Sequence, residues 1–362
     1  MFKKKFETKQ VSLFNRSGLS TILTPVLGIL IGLFLTSFVL LWQGVNPLSA
    51  YRSMFVGALG SGSALSFTFL EFVPYAFSGL AITLAYRGGM FNIGVEGQIY
   101  IAALFTTWIA VSMPDAPRAV ILTLSLLGGV IAAGFYAFIP AYLKAKRGMN
   151  EVLICMLMNY IAIHLVGTAV NSFLKAPNQP DPKSAMLPEA SWLSRLGSGT
   201  YLHTGFIMVF VAAAILYFVL FRSTLGYQIR SVGLNVKASR YSGIAVTKTM
   251  IITMVVSGIL AGFAGSVTIL GTQHRLYTDF MINYGYDAVP VAILGGLNPI
   301  GVLITSFLFA VLKSGGNAMH ISTGIPVSII SIVSAISILS VIAITQIQKF
   351  RQAKLAKGRG GK

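Results

Sequence analysis

The chain has 362 residues, of which 55% are hydrophobic and only 10% are charged, and its mean hydropathy is +0.78. A soluble domain carries about a quarter charged residues, so the composition excludes an ordinary soluble globular protein. The formal net charge of +18 arises largely from four basic patches, which hold 19 of the 27 lysines and arginines and flank apolar segments. Basic residues beside membrane spans stay in the cytoplasm, so this charge indicates membrane topology and contact with lipids rather than nucleic-acid binding.

Long apolar runs predict membrane-spanning helices along most of the chain, because about 20 residues cross the ~30 Å hydrocarbon core of a bilayer. The predicted spans cover residues 21–42, 66–86, 98–113, 119–143, 151–174, 204–221, 249–271 and 325–346. Between the last two, the segment 286–313 contains GGLNPIG at 295–301, whose glycines and proline break a helix. We therefore predict an all-α polytopic membrane protein of about eight to ten transmembrane helices: eight spans plus a re-entrant hairpin, or ten spans.

The charge pattern also predicts the topology. Residues 1–20 form a cytoplasmic basic arm, 21–346 a transmembrane domain, and 347–362 a basic cytoplasmic tail. The basic loop 222–248 is expected in the cytoplasm, and the proline-rich loop 175–202 on the extracytoplasmic side. Both termini are then cytoplasmic.

The sequence RGGMFNIGVEGQI at 87–99 interrupts the apolar pattern. It cannot run as a lipid-facing helix, because each unpaired polar group in hydrocarbon costs several kcal/mol. Interrupted backbone of this kind is found where it lines a cavity or packs against protein, often near a translocation pathway. GGMFNIG at 88–94 shares both paired glycines, the isoleucine and the final glycine with GGLNPIG at the same spacing. The two motifs indicate interrupted helices, and either an internal repeat or a coincidence in a glycine-rich chain.

Five residues of these motifs are candidates for the solute pathway: Phe91, Asn92, Glu96, Gln98 and Asn298. An aromatic face stacks on a nucleobase and an amide reads its edge, contacts worth on the order of 1–3 kcal/mol per base. The alternative is structural: Phe91 packs in the core, and Glu96 caps or braces its helix with Arg87 as an ion-pair partner. Glu71 is expected near the membrane interface, before its span begins. Asn159 is expected to make an interhelical hydrogen bond.

The loop 222–248 is too polar for the membrane and carries signals for a short helix. Asn235 is a good N-cap for a helix over 236–241, and Gly243 is a good terminator. Small residues and a basic edge suit insertion into a groove of another protein, and the alternative is a solvated turn that orients the flanking spans. The residues predicted to dock a partner are Gly233, Asn235, Lys237, Ala238, Ser239, Arg240 and Gly243.

The motifs GMFNIGVEGQI and VGLNVKASRYSGI, in this order, closely resemble the permease subunits of ATP-binding-cassette importers in the ribose, branched-chain amino acid and nucleoside group. The pattern FNIGxEGQ is most similar to the nucleoside branch of this group, whose receptors are basic membrane lipoproteins. The resemblance covers about residues 20–345. It implies a fold of about ten helices with a short coupling helix in the basic loop. Val236 stands where this family commonly has proline after the asparagine.

The resemblance further implies a complex in the plasma membrane of a prokaryote, with a cytoplasmic ATP-binding subunit, a second permease that forms a heterodimer with this one, and an extracytoplasmic substrate-binding lipoprotein. The sequence lacks the motifs GxxxxGK[ST], HExxH and CxxC, and its only cysteine is Cys155. We therefore expect no catalytic residue, no metal site and no cofactor bound by this chain, with ATP used by the partner subunit. The implied function is import of a small neutral polar solute, nucleosides first and a ribose-type sugar as the alternative. An ion-coupled secondary transporter is a weaker alternative, because the sequence has no ladder of intramembrane acidic residues or histidines.

Overall fold

The computed structural model describes residues 18–177, 179–197 and 200–324, with a few single residues between 332 and 343. Over these residues the chain forms twelve α-helices and no named strand. The helices are α1 (Gly18–Trp42), α2 (Pro47–Leu59), α3 (Gly62–Arg87), α4 (Val95–Ser112), α5 (Arg118–Arg147), α6 (Glu151–Asn171), α7 (Gly205–Arg222), α8 (Thr224–Leu234), α9 (Val236–Tyr241), α10 (Val246–Thr268), α11 (Tyr284–Leu294) and α12 (Pro299–Thr323). Apart from the single residues noted, the predicted span 325–346 lies outside the described residues, as do the tail 347–362 and most of the basic arm.

The chain divides into two compact units, one formed by residues 1–53 and 319–362 and the other by residues 54–318. In the first unit, α1 and the start of α2 form a hairpin. The Tyr51 hydroxyl donates to the carbonyl of Leu33 and lies 3.3 Å from the hydroxyl of Ser37. The second unit contains the remaining elements described below.

The prediction of a polytopic all-α membrane protein is confirmed. Seven helices of the described part are long and apolar enough to cross a membrane, by length and composition: α3, α4, α5, α6, α7, α10 with its π-helical extension to Gln273, and α12. The six predicted spans between 66 and 271 begin and end within four residues of the observed helices. The predicted end of the next apolar segment at 313 is wrong, because α12 continues to Thr323. Gly315 does not break this helix but lets it approach α2, since a Cβ there would lie 2.6 Å from the carbonyl oxygen of Met54.

Helix α10 lies at the centre of the second unit, against α5, α3 and α4. Small residues permit this close packing, as in other membrane bundles where lipid offers no hydrophobic drive for association. A Cβ added to Gly265 of α10 would lie 2.3 Å from the carbonyl oxygen of Ile99 on α4. A Cβ on Gly129 of α5 would lie 2.0 Å from the Thr106 hydroxyl oxygen. The glycine content of the chain therefore reflects helix contacts as well as turns.

The predicted break at GGLNPIG is confirmed. Helix α11 ends at Leu294, residues 295–298 form a turn, and α12 begins at Pro299 and runs back along α11. The Thr305 hydroxyl of α12 donates to the carbonyl of Val291 on α11 at 2.8 Å. With 11 residues, α11 is about 16 Å long, roughly half the hydrocarbon thickness. The α11–α12 hairpin therefore contains one half-length helix.

The two ends of the second unit differ in character. At one end, here called the basic end, lie residues 144–150 and the loop 222–245, with a 2.8 Å ion pair between Lys144 and Glu151. At the opposite end, here called the loop end, the segment 174–204 is bonded to the residues after α10. The amides of Leu187 and Leu193 donate to the carbonyls of His274 and Leu270 at 3.0 and 2.9 Å. The described residues of the proline-rich loop are thus bonded to the segment that follows α10.

Candidate transport site and coupling loop

Three predicted pathway residues lie inside a buried hydrogen-bonded cluster. Asn92, Glu96 and Gln98 are 1%, 2% and 1% exposed. Asn92 and Gln98 exchange two amide hydrogen bonds of 3.0 and 3.1 Å, and Asn92 also donates to Ser257 of α10 at 2.9 Å. The Ser257 hydroxyl in turn donates to the carbonyl of Ala81 on α3 at 2.7 Å. These bonds join the segment after α3 to α4 and α10.

Glu96 binds the start of α11. Its two carboxylate oxygens accept hydrogen bonds from the backbone amides of Asn283 at 2.8 Å and Gly285 at 2.6 Å. These amides belong to the first turn of a helix, where backbone donors lack intrahelical partners and a negative charge is favourable. Glu96 therefore acts as a cap supplied by another helix. The expected ion pair with Arg87 is wrong, because Arg87 donates to the carbonyl of Leu297 instead, at 2.8 Å.

Asn159 connects α6 to the same cluster, which confirms the predicted interhelical hydrogen bond. Its side-chain oxygen accepts the amide of Gly97 at 2.9 Å. Its side-chain nitrogen donates to the carbonyl of Ile93 and to the hydroxyl of Tyr286, both at 3.0 Å. One asparagine thus fixes α4 and α11 against α6.

The other two predicted pathway residues are less buried. Phe91 is partly buried, with its ring edge-on to Tyr86 at a centroid distance of 5.8 Å. Asn298 accepts the amide of Ile300 at 3.1 Å and so caps the start of α12. In this conformation Asn92, Glu96 and Gln98 use their hydrogen bonds within the chain. Their direct contact with a solute, which stays a prediction, requires some of these bonds to break.

Sequence reasoning missed a second cluster, formed by Glu71, Tyr75, Tyr284, Asp287 and Lys313. Tyr284 donates to the carboxylate of Glu71, and Tyr75 donates to that of Asp287 at 3.2 Å. The two tyrosine rings are 4.8 Å apart, and the Lys313 ammonium lies 5.1 Å from the Tyr284 ring centroid. Glu71 lies within α3, about 14 Å along the helix from Gly62, and its expected position near the membrane interface stays a prediction. The four-residue spacing of Glu71 and Tyr75 was the available signal, since such residues share a helix face.

The two Gly-Gly motifs share a local conformation at their glycines and differ at the next residue, because Leu297 has a positive φ and Met90 does not. Gly88 and Gly295 end α3 and α11, and each is followed by a glycine with a left-handed backbone, Gly89 at φ +74° and Gly296 at φ +67°. We call residues 88–91 the first Gly-Gly turn and residues 295–298 the second. Both occur where the preceding helix ends, as the motifs predict; the larger internal repeat stays a prediction.

The predicted short helix in the basic loop is confirmed as α9, Val236–Tyr241. The Asn235 side chain accepts the amide of Ala238 at 3.0 Å, and Gly243 has φ +78°, so the cap and the terminator are those expected. Val236 in place of proline does not displace the start of the helix. Of the residues predicted to dock a partner, only Ser239 is buried; the exposed ones are Gly233, Asn235, Lys237, Ala238, Arg240 and Gly243.

Two large apolar side chains of this loop were not predicted as contacts, although both are highly exposed. Tyr241 is 94% exposed and Leu234 is 79% exposed. Together with Lys237 and Arg240 they give α9 a surface that is both apolar and basic. Contiguous exposed apolar patches rimmed by polar residues mark protein interaction sites.

The loop end holds two histidines that the sequence did not single out. His203 is buried, and its Nδ1 accepts the amide of Gly205 at 3.1 Å. The ring of His274 stacks on Trp192 with 3.9 Å between centroids. Burial lowers the pKa of each histidine to about 4. The positive charge of His274 lowers the pKa of His203 further, and the positive charge of Arg195 lowers the pKa of His274 further. Both rings are therefore neutral near pH 7.

Comparison with known proteins identifies the family of the chain. Residues 64–344 match the family described as "Branched-chain amino acid transport system / permease component". The chain belongs to this family. The permease is 35% identical to the guanosine ABC transporter permease protein NupP of Bacillus subtilis, over 86% of this chain and 90% of the relative. It is 33% identical to the nucleoside ABC transporter permease protein NupB of Lactococcus lactis, over 85% and 87% of the two chains. It is 32% identical to the glucose ABC transporter permease protein TsgB13 of Haloferax volcanii, over 85% and 83%. The permease is thus a membrane-embedded transport subunit.

Proposed function

We propose that this permease carries nucleosides across a prokaryotic plasma membrane, as part of an importer driven by a separate ATP-binding subunit. The observation that carries the proposal is its similarity, at 35% and 33% identity over most of each chain, to two permeases whose names specify guanosine and nucleosides. The resemblance of the FNIGxEGQ motif to the nucleoside branch, found in the sequence alone, agrees with it.

The basic end faces the cytoplasm in this proposal, because lysine and arginine are retained on that side of a membrane. The ATP-binding subunit docks on α9 and the residues around it: Gly233, Asn235, Lys237, Ala238, Ser239, Arg240 and Gly243. The 94% exposure of Tyr241 supports this role, since a solvated tyrosine provides contact area at a small entropic cost. A second permease and an extracytoplasmic binding lipoprotein complete the complex.

Transport proceeds by alternating access. Movement of α9 on ATP binding shifts the helices so that the path beside Phe91, Asn92, Glu96, Gln98 and Asn298 opens in turn to each side. Asn92, Glu96 and Gln98 must exchange a present hydrogen bond for one to the solute, which suits a weak and transient site. The receptor outside supplies the affinity.

A simple sugar is the second candidate substrate, because the relative from Haloferax volcanii is named as a glucose permease at 32% identity. Ribose is part of a nucleoside, so the two candidates share a polyhydroxylated group. Competition between unlabelled solutes distinguishes them.

The test is uptake of labelled guanosine at low external concentration, by cells with and without the permease, after a protonophore has collapsed the proton gradient. We expect uptake that requires the permease, survives the protonophore and is competed by nucleosides but not by glucose or ribose. Competition by the sugars alone supports the second candidate. Uptake that requires both the permease and the gradient indicates an ion-coupled transporter.

Docking on α9 has its own test, copurification of the ATP-binding subunit. The variant Tyr241→Ala should lose the subunit while the permease remains in the membrane. Tyr142→Ala is the control, because Tyr142 is another exposed tyrosine, on α5 outside the loop. Equal recovery of the subunit with both variants contradicts docking at α9.

A further inference from the structure

Arg87, the last residue of α3, lies between the basic loop 222–248, here called the coupling loop, and the second Gly-Gly turn. Its guanidinium donates from Nε to the carbonyl of Leu297 at 2.8 Å, with a longer contact of 3.5 Å to that of Gly296. Its own carbonyl oxygen faces the end of α8, where it lies 2.1 Å from the position that a Cβ on Gly233 would occupy. The side chain of Arg87 thus contacts the second Gly-Gly turn, and its backbone contacts the end of α8.

The contact with α8 is between backbones. The Cα of Gly233 lies 3.0 Å from where a Cβ on Gly89 would be, so the first Gly-Gly turn also touches this point. No side chain lies between these segments to absorb a displacement. Because α9 begins two residues after α8 ends, a force on α9 reaches Arg87 through α8.

An aromatic ring helps to hold the Arg87 guanidinium in place. The Arg87 Cζ atom lies 5.6 Å from the centroid of the Phe221 ring, within the range of a cation–π interaction. The Arg230 Cζ atom lies 5.5 Å from the same centroid. Arg230 differs in its hydrogen bond, which goes from Nε to the carbonyl of Gly226 in its own helix. The two arginines therefore share a ring, and in the described residues Arg87 has hydrogen bonds to the hairpin.

The acceptor of the Arg87 hydrogen bond is in an unusual conformation. Leu297 has φ +54°, a left-handed backbone that side chains other than glycine, asparagine and aspartate adopt reluctantly. Helix α11 precedes this turn. At the other end of its 11 residues, the amide of Gly285 donates to Glu96, and Asp287 accepts from Tyr75.

We propose that Arg87 transmits the movement of the coupling loop to the α11–α12 hairpin, and so links ATP use to the opening of the pathway. This inference rests on the proposed function. Arg87 is a positioning residue, since it acts through the hairpin and touches no solute. Replacing Arg87 should lower the amount of solute transported per ATP hydrolysed. The ATP-binding subunit should still hydrolyse ATP, and the solute pathway should remain intact.

The experiment uses the complete complex in lipid vesicles, with the ATP-binding subunit and the loaded binding protein, and measures ATP hydrolysis and solute uptake together. Arg87→Gln should keep ATP hydrolysis but lower the solute moved per ATP roughly tenfold, about the effect of losing one hydrogen bond to a charged group. Arg87→Lys should recover part of the loss, because lysine keeps the charge and a donor but lacks the planar guanidinium. Arg230→Gln is the matched control and should transport as the original chain does.

Each outcome decides a different point. Normal coupling in Arg87→Gln refutes the proposal. An equal loss in Arg230→Gln refutes it too, because Arg230 bonds within its own helix and the loss would then reflect positive charge near Phe221 rather than the Arg87 hydrogen bonds to the hairpin. If the unaltered complex shows no ATP-dependent uptake of any solute, the proposed function fails rather than the role of Arg87.

A second measurement needs no Arg87 variant. Spin labels placed in pairs at positions 236 and 113, and at 300 and 113, report movement of α9 and of the start of α12 relative to the loop end. These three positions are exposed, and none is among the predicted docking residues. ATP should change both distances in the labelled complex; a change at position 236 without one at position 300 refutes the proposal.

Discussion

Replacing Glu96 by glutamine tests whether this buried residue, the acidic residue of the motif GMFNIGVEGQI, is a cap for α11. The carboxylate accepts amides from Asn283 and Gly285, and a glutamine side chain offers only one acceptor oxygen. One amide of the first turn is then left unpaired, which costs about 1–3 kcal/mol, and the remaining bond loses its charge assistance, roughly 1 kcal/mol more. With the side chain 2% exposed, water cannot restore the lost bond. We expect Glu96→Gln to destabilise the fold by about 2–4 kcal/mol in all.

The assay is reversible unfolding of the purified permease in mixed micelles, followed by circular dichroism. Glu151→Gln is the control: Glu151 is also a carboxylate in the first turn of a helix, but its ion pair with Lys144 is partly exposed. Such a pair contributes about 0–1 kcal/mol, so this variant should unfold close to the original chain. If both variants unfold at the same denaturant fraction, Glu96 does not cap α11 as described.

Two further predictions concern the coupling loop and the loop end. Gly233→Ala should abolish uptake, because its Cβ would lie 2.1 Å from the Arg87 carbonyl oxygen; the control Gly148→Ala has open space and only its φ of +66° against it, about 1–2 kcal/mol, so it should retain uptake. Equal activity of these two variants contradicts the backbone contact. The second concerns pH. The pKa values of His203 and His274 are about 4 in the fold against roughly 6.5 in the unfolded chain. The stability of the loop end is therefore greatest above pH 6.5 and falls as the pH drops towards 4, because the unfolded chain binds protons first. Fluorescence of Trp192 should therefore titrate with a midpoint near 4, and a midpoint near 6.5 shows that His274 is not shielded.

The sequence predicted the helices well where the signal is local. The length of an apolar run determines a span. The Asn235 cap and a glycine two residues after Tyr241 determine α9, so these elements are found without tertiary information. The break in the α11–α12 hairpin has the same origin, because paired glycines and a proline act on the backbone that contains them.

The site was predicted less well, because its hydrogen bonds join distant parts of the chain. Glu96 was paired with Arg87, nine residues away, but its true partners lie 187 and 189 residues further along. Tyr284, which contacts Glu71, is 213 residues from it. The residue types of the motif indicated which side chains would form buried hydrogen bonds. The partners of those side chains depend on how the helices pack, and the periodicity of the sequence does not contain that information.

The capping of α11 has a consequence for how the permease is made. At 11 residues this helix is too short to be recognised as a span by itself, since about 20 are needed. Its first turn is bound by the negative charge of Glu96, and the carbonyls after its last turn by the positive charge of Arg87, an arrangement that suits the helix dipole. Both charges belong to segments synthesised some two hundred residues earlier. Helix α11 therefore completes its folding only after α3 and α4 have been inserted and assembled, which makes the order of synthesis part of the folding pathway.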